Sequence, residues 1–110
     1  MLINNQKIDK SAAIKITAEE NGVIFGRVFL YLIYNDLHQE PYGLMEDLFV
    51  DEKHRGRGIG KQLVEALIDE AKKQGCYKLI ATSRAEREKI HSMYEKVGFK
   101  KYGFEFRLDF

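Results

Sequence analysis

The pattern of apolar and polar positions predicts a chain that begins with a β-hairpin. Residues 11–19 and 23–34 are rich in Ile, Val, Phe and Tyr, and only residues 20–22, Glu-Asn-Gly, separate them. Asn-Gly between two such runs favours positive φ values and a tight turn. We therefore expect an antiparallel pair whose second strand, apolar on both faces, is central in its sheet and has a bulge at Gly26.

A third strand is predicted over residues 44–50, after a loop that contains the only proline. If this strand alternates regularly, Glu46, Leu48 and Val50 share one face and Asp47 lies on the other, together with its odd-numbered neighbours.

A crossover helix follows. Apolar residues recur at three- and four-residue spacing over residues 59–73, and Gly75 comes directly after them. Residues 76–83, CYKLIATS, then predict a short buried strand parallel to the third one.

The last segments predict a second helix, over about residues 85–96, and a terminal strand. Gly98 follows this helix, and residues 99–110, FKKYGFEFRLDF, alternate large apolar and charged side chains. The order of strands and helices predicts an α/β domain with a mixed sheet.

Length and composition narrow the class of protein. A chain of 110 residues predicts one domain, and 45% apolar with 32% charged residues is an ordinary soluble composition. The net charge of +1 argues against nucleic-acid or membrane binding, and no apolar run is long enough to span a bilayer. The N-terminus lacks the pattern of a signal peptide, so we expect a cytoplasmic protein. Cys76 is the only cysteine, which excludes a zinc site of the usual spacing.

The chemistry centres on residues 50–61, VDEKHRGRGIGK. Three glycines in GRGIG allow sharp turns and close approach of a ligand, and the amides at the start of the following helix are free to bind phosphate. A P-loop requires Ser or Thr after Gly-Lys, whereas Gln62 follows Lys61. A dinucleotide fingerprint requires glycine at position 61. Both are therefore excluded.

The pattern that fits is Arg55, two free positions, Gly58, one free position and Gly60. Together with the crossover to CYKLIATS and with MYEKVGF at residues 93–99, it resembles the GCN5-related N-acetyltransferases, the GNAT family. The resemblance implies a GNAT-like mixed sheet flanked by helices, here truncated at its N-terminus.

The resemblance also implies binding of acetyl-CoA, mostly by the main chain. The third strand is expected to splay from its parallel neighbour and to offer its free edge to the pantetheine arm, while loop amides hold the pyrophosphate. The cofactor-binding residues it implies are Leu48, Phe49, Val50, Arg55, Gly56, Arg57, Gly58, Ile59, Gly60, Lys61 and Arg87.

Two catalytic roles come with the resemblance. Tyr94 matches the residue that protonates the CoA sulfur, although it also fits the apolar stripe of its helix. Glu46, with Asp47, resembles the Glu-Asp pair of glucosamine 6-phosphate N-acetyltransferases, a branch that also favours CYK in the next strand. Either carboxylate can serve as base or attract a cationic acceptor, and Glu46 can equally be an ion-pair partner. We expect structural or solvent-facing roles for His54 and His91.

The sequence departs from the family in two places. Arg87 and Ile90 stand where many members have Asn and Ala. Only about ten residues precede the hairpin, so the helices that commonly form one wall of the acceptor pocket are expected to be absent. The acceptor site is then open or completed by another subunit, and exchange of residues 104–110 across a homodimer would complete it.

Three functions compete. The first is an acetyl-CoA-dependent N-acetyltransferase acting on a small amine, such as an amino sugar phosphate, or on a protein amine. The second is a non-catalytic CoA-binding or dimerisation module. The third, nucleic-acid binding through RGRG, is disfavoured by the near-neutral charge.

Overall fold

The computed structural model describes residues 1–110 and contains one four-stranded sheet with two α-helices. The strands are β1 (Ala12–Glu20), β2 (Val23–Ile33), β3 (Tyr42–Val50) and β4 (Leu79–Ala81), and they lie side by side in that order. The helices are α1 (Ile59–Lys73) and α2 (Glu88–Lys96). The first three strands are antiparallel, and β4 is parallel to β3. This mixed sheet confirms the predicted α/β class. Neither helix is long and apolar enough to cross a membrane.

The predicted hairpin is confirmed. Asn21 and Gly22 both have positive φ, 51° and 78°, and Glu20 pairs with Val23 across the turn. The pairing of β1 with β2 shifts beside Gly26, as the sequence predicts. Glycine is needed there for a second reason, because a Cβ would lie 3.1 Å from the Leu63 side chain of α1.

The core lies between the sheet and α1. Val28, Leu30 and Leu32 alternate along β2 toward the helix, where Val64 and Leu67 are completely buried against them. The helix ends in a Schellman motif: Gly75 has a φ of 78°, and the Cys76 amide donates to the Ala71 carbonyl at 3.0 Å. The predicted helix and its glycine stop are therefore confirmed.

The predicted regular alternation of β3 is wrong. Glu46 pairs with Phe29, but Phe49 pairs with Arg27, so β3 has one extra residue where β2 has only Val28 between them. Asp47 has a φ of 56° at this bulge. Because the bulge reverses the alternation, Met45 and then Leu48 and Val50 pack toward the core, while Glu46 lies on the opposite face.

The C-terminal part of the chain differs most from the prediction. The predicted buried strand of residues 76–83 is reduced to β4, in which Ile80 is 38% exposed, and α2 begins at Glu88 instead of about residue 85. Residues 99–110 form no strand. In this C-terminal segment the side chains of Phe104 and Phe106 are more than 90% exposed, because no strand pairs with this part of the chain.

Candidate functional site

The candidate site lies where β3 and β4 separate. The two strands pair only from Gly43 with Leu79 to Met45 with Ala81. Beyond Met45, β3 continues to Val50 while β4 has ended. The edge of β3 at residues 48–50 therefore has no strand beside it, as the sequence predicts for Leu48, Phe49 and Val50.

The glycine loop follows that free edge directly. A short 3-10 turn, Glu52–His54, leads into Gly56 and Gly58, whose φ values are 83° and 75°. Gly58 is the N-cap of α1, and the first helical amide with a backbone partner is that of Gln62, which donates to the Gly58 carbonyl. The amides of residues 56–61 have no backbone carbonyl as partner. They therefore form the donor cluster expected at a phosphate site.

Gly60 leaves room for a ligand beside these amides. A Cβ at this position would meet only a Val50 methyl group, at an ordinary 3.9 Å, so the fold itself does not require glycine here. An unpaired donor cluster with an unobstructed approach fits the pyrophosphate of acetyl-CoA.

Two arginines of the loop are already engaged by protein groups. Arg55 donates from Nε to the Val50 carbonyl at 2.9 Å, which occupies one of the main-chain acceptors predicted for pantetheine. Arg57 forms an ion pair with Glu20 at 2.9 Å and lies over the Phe25 ring, on the rim of a groove of about 370 Å³ beside β1. The Lys61 side chain is exposed. Of the groups predicted to bind phosphate, the loop amides are thus free, whereas both arginine side chains already contact protein groups.

The predicted acid and base lie in one electrostatic neighbourhood. Burial raises the pKa of Tyr94, the nearby Arg87 charge opposes this, and the charge of Glu46 adds to it. Burial, then Asp47 and then Glu105, raise the pKa of Glu46. The structure therefore brings together Glu46 on β3, Tyr94 on α2 and Arg87, which directly precedes α2.

The remaining candidates have structural positions. His54 stacks on Phe25 with ring centroids 4.3 Å apart, and its Nδ1 is buried without a hydrogen-bond partner. Cys76 packs against the core, and burial raises the pKa of its thiol. No three His, Cys, Asp or Glu side chains are grouped to hold a metal ion.

Sequence reasoning missed Arg27 and Glu105. Arg27 donates from Nη1 to the Asp47 carbonyl at the bulge and lies over the Phe49 ring. Its only signal in the sequence was a charge inside an otherwise apolar central strand. Glu105 is in the C-terminal segment, and no periodicity indicates its effect on Glu46.

A mixed sheet that splits beside a glycine loop, with the loop amides free at a helix start, defines an acyltransferase-type α/β fold. The match to a family model agrees: residues 3–99 fit the Acetyltransferase (GNAT) family. The chain belongs to the GNAT family.

Two relatives share the name of one enzyme. Glucosamine 6-phosphate N-acetyltransferase of Trypanosoma brucei brucei is 42% identical over 67 residues, which are 61% of this chain and 44% of that protein. The enzyme of the same name from Arabidopsis thaliana is 43% identical over 56 residues, which are 51% of this chain and 36% of that protein. The match thus spans less than half the length of these relatives.

Solved structures show the same fold. An acetyltransferase of Trypanosoma brucei has a TM-score of 0.78 and 32% identity, with 89% of this chain and 69% of that chain covered. Glucosamine-6-phosphate N-acetyltransferase from Arabidopsis thaliana has a TM-score of 0.77 and 30% identity, with 89% and 67% covered. The predicted GNAT-like architecture is therefore confirmed.

Proposed function

We propose that this protein is an N-acetyltransferase that moves acetyl from acetyl-CoA to a primary amine. The observation that carries the proposal is the row of unpartnered amides at residues 56–61, at the end of the unpaired edge of β3. The first supplies donors for a diphosphate, and the second supplies main-chain groups for an extended amide-containing arm.

In this proposal the cofactor is held mainly by backbone. Leu48 and Phe49 offer edge groups, and the amides from Gly56 to Lys61 offer donors. Val50 takes part less, because Arg55 occupies its carbonyl. Arg87 lies near Tyr94, which suits an auxiliary charge contact close to the reacting end.

Glu46 and Tyr94 are the proposed base and acid. When bound, acetyl-CoA supplies a thioester whose carbonyl carbon the amine attacks as the carbon–sulfur bond breaks. Glu46 accepts the proton that the attacking nitrogen loses, and Tyr94 donates its phenolic proton to the departing sulfur. The raised pKa of Tyr94 keeps it protonated at neutral pH. The proton held by Glu46 then passes through water to Tyr94, which restores both groups.

We propose an amino sugar phosphate as the acceptor, because the relatives named above carry that substrate in their names. A protein amine is the alternative within the same chemistry. A non-catalytic CoA-binding module is the alternative outside it.

Turnover separates these alternatives. Purified protein is mixed with acetyl-CoA and with glucosamine 6-phosphate, simple amines or peptides, and release of free thiol is followed. We expect thiol release with the amino sugar phosphate, and Tyr94→Phe should lower kcat by roughly 100-fold or more. Tyr77→Phe, a surface tyrosine next to His38, is the matched control. Acetyl-CoA binding without turnover on any amine would support the non-catalytic module.

We further propose that the protein works as a homodimer. The C-terminal segment alternates exposed apolar residues, including Phe104 and Phe106, with charged ones, which is the pattern of a strand with one buried face. The outer edge of β4 has no neighbour. If the C-terminal segment of one copy paired with the outer edge of β4 in a second copy, it would cover that edge and bury its own apolar side chains.

A further inference from the structure

One face of the sheet carries an unusual row of side chains. This open face is the side opposite α1, and it includes Lys15, Arg27, Phe29, Tyr31, Glu46 and Phe49. It is assigned by register: the neighbours of Phe29 in β2, Val28 and Leu30, are buried toward α1, so Phe29 and its cross-strand partners lie on the other side.

Lys15, Phe29 and Glu46 form a single row across three strands. Lys15 pairs with Phe29, and Phe29 pairs with Glu46. Because neighbouring strands are about 4.8 Å apart, the Cα atoms of Lys15 and Glu46 lie about 10 Å apart with one aromatic ring between them. A carboxylate and an ammonium group thus stand at opposite ends of an apolar platform.

Two cations border that ring without a carboxylate partner. The Lys15 Nζ lies 5.7 Å from the Phe29 centroid, and the Arg27 Cζ lies 6.0 Å from it and 5.1 Å from that of Phe49. The ion pairs of the protein involve neither cation. Arg27 uses Nη1 on the Asp47 carbonyl, which holds its guanidinium in place and leaves other N–H groups free.

We propose that Lys15 and Arg27 recognise a phosphate group on the amine acceptor, with the sugar ring over Phe29 and the amine at Glu46. This inference rests on the proposed function and names its specificity residues. The charges are complementary. The acceptor's ammonium group meets Glu46, the one carboxylate of the row, and the acceptor's phosphate meets the two cations that no carboxylate neutralises. The aromatic ring between them accommodates the apolar side of a sugar.

The test compares two acceptors that differ only in the phosphate, glucosamine 6-phosphate and glucosamine, with acetyl-CoA and the full chain. We expect the wild-type protein to prefer the phosphorylated acceptor in kcat/KM. Lys15→Gln and Arg27→Gln should each reduce that preference by about 10- to 100-fold, as expected for loss of a charge-assisted hydrogen bond. Lys15→Arg should retain most of it.

Lys78→Gln is the matched control. Lys78 also lies over aromatic rings, 5.0 Å from the Tyr42 centroid and 5.4 Å from that of Tyr77, but Tyr42 pairs with Ile33, four residues along β2 from Phe29. Its substitution should leave the preference as in the wild type. Equal loss in Lys78→Gln and Lys15→Gln would mean a general charge effect and would overturn the assignment.

A binding measurement separates this inference from the proposed activity. Titration of glucosamine 6-phosphate followed by NMR shifts or calorimetry requires no turnover. Binding that weakens in Lys15→Gln and Arg27→Gln supports the phosphate site even if no amine is acetylated, an outcome that would reject only the activity. Acetylation of both acceptors with equal kcat/KM, unaffected by either variant, would reject the phosphate site and leave the activity standing.

Discussion

The position of Glu46 disfavours the charged form of its carboxyl group and so lowers stability at neutral pH. It lies at the β3 bulge, partly buried, with Asp47 next to it and the charge of Glu105 nearby, and all three effects raise its pKa. A carboxyl whose pKa is raised in the folded state binds its proton more tightly there than in the unfolded chain. Its contribution to stability therefore falls as pH rises from the unfolded pKa through the folded one.

We accordingly predict that Glu46→Gln makes the fold more stable at pH 7. The gain should shrink as pH falls below about 4, because the wild-type carboxyl is then protonated in both states. Urea unfolding of both proteins at pH 7 and near pH 3.5 measures this. Glu65→Gln, on the exposed side of α1, is the control and should change little. Lower stability of Glu46→Gln at pH 7 would contradict the argument and indicate a stabilising ion pair.

The pH dependence of activity should follow from Glu46 as the proposed base and Tyr94 as the proposed acid. Glu46 has to be ionised to accept a proton, so kcat/KM should rise with pH through a value above the ordinary 4.5 of a glutamate. Tyr94 has to be protonated to act as the acid. Its pKa is raised from the ordinary 10.0, so ionisation of Tyr94 should reduce the activity only at strongly alkaline pH. The acceptor amine also loses a proton between pH 5 and pH 9, so the test is the ratio of wild-type to Glu46→Gln kcat/KM over this range, which should rise with pH if Glu46 is the base. A ratio that does not change with pH would exclude Glu46 as the base.

At the scale of elements, the sequence predicts what local chemistry determines. The Asn-Gly turn, the central position of β2 and the Schellman end of α1 depend on a few neighbouring residues, and all are observed. The bulge at Asp47 depends on how β2 pairs with β3, and no residue near it is a glycine that would signal positive φ. Because this bulge reverses the alternation of β3, the face on which Glu46 lies could be assigned only from the pairing of β3 with β2.

The glycine loop allows stability and ligand binding to be separated. Gly60 lies in the first turn of α1 with free space around it, so Gly60→Ala should raise the free energy of unfolding by up to about 1 kcal/mol through helix propensity. The added methyl group would stand where we propose that the pyrophosphate approaches the amides, so acetyl-CoA affinity should fall. Thermal unfolding and calorimetric titration measure the two effects.

Gly75→Ala is the opposite control for that prediction. Gly75 has a φ of 78° at the far end of α1, where alanine costs about 1–2 kcal/mol. It should lower stability and leave acetyl-CoA binding as it is. If Gly60→Ala binds acetyl-CoA as tightly as the wild type, the ligand does not approach these amides.

At the scale of the whole molecule, the core is concentrated in one layer. Ten apolar residues are buried between the sheet and α1, whereas α2 has no buried residue. The convergence of Glu46, Tyr94 and Arg87 is a property of this assembly. It was predicted from family resemblance and not from spacing, because β3 and α2 are distant in the chain.

The exposed apolar side chains of the C-terminal segment bear on the oligomeric state of the whole molecule. Phe104 and Phe106 are 92% and 94% exposed, and burying such side chains typically contributes about 1.5–3 kcal/mol each. We therefore predict a dimer in sedimentation equilibrium at micromolar concentration, and a monomer when both residues are replaced by lysine. Leu37→Lys, which changes a loop side chain that is 81% exposed, should remain dimeric. If the double variant keeps the wild-type mass, the dimer forms elsewhere. If the wild-type protein is itself monomeric, the proposed acceptor site belongs to a single chain, and Lys15 and Arg27 act there without a second copy.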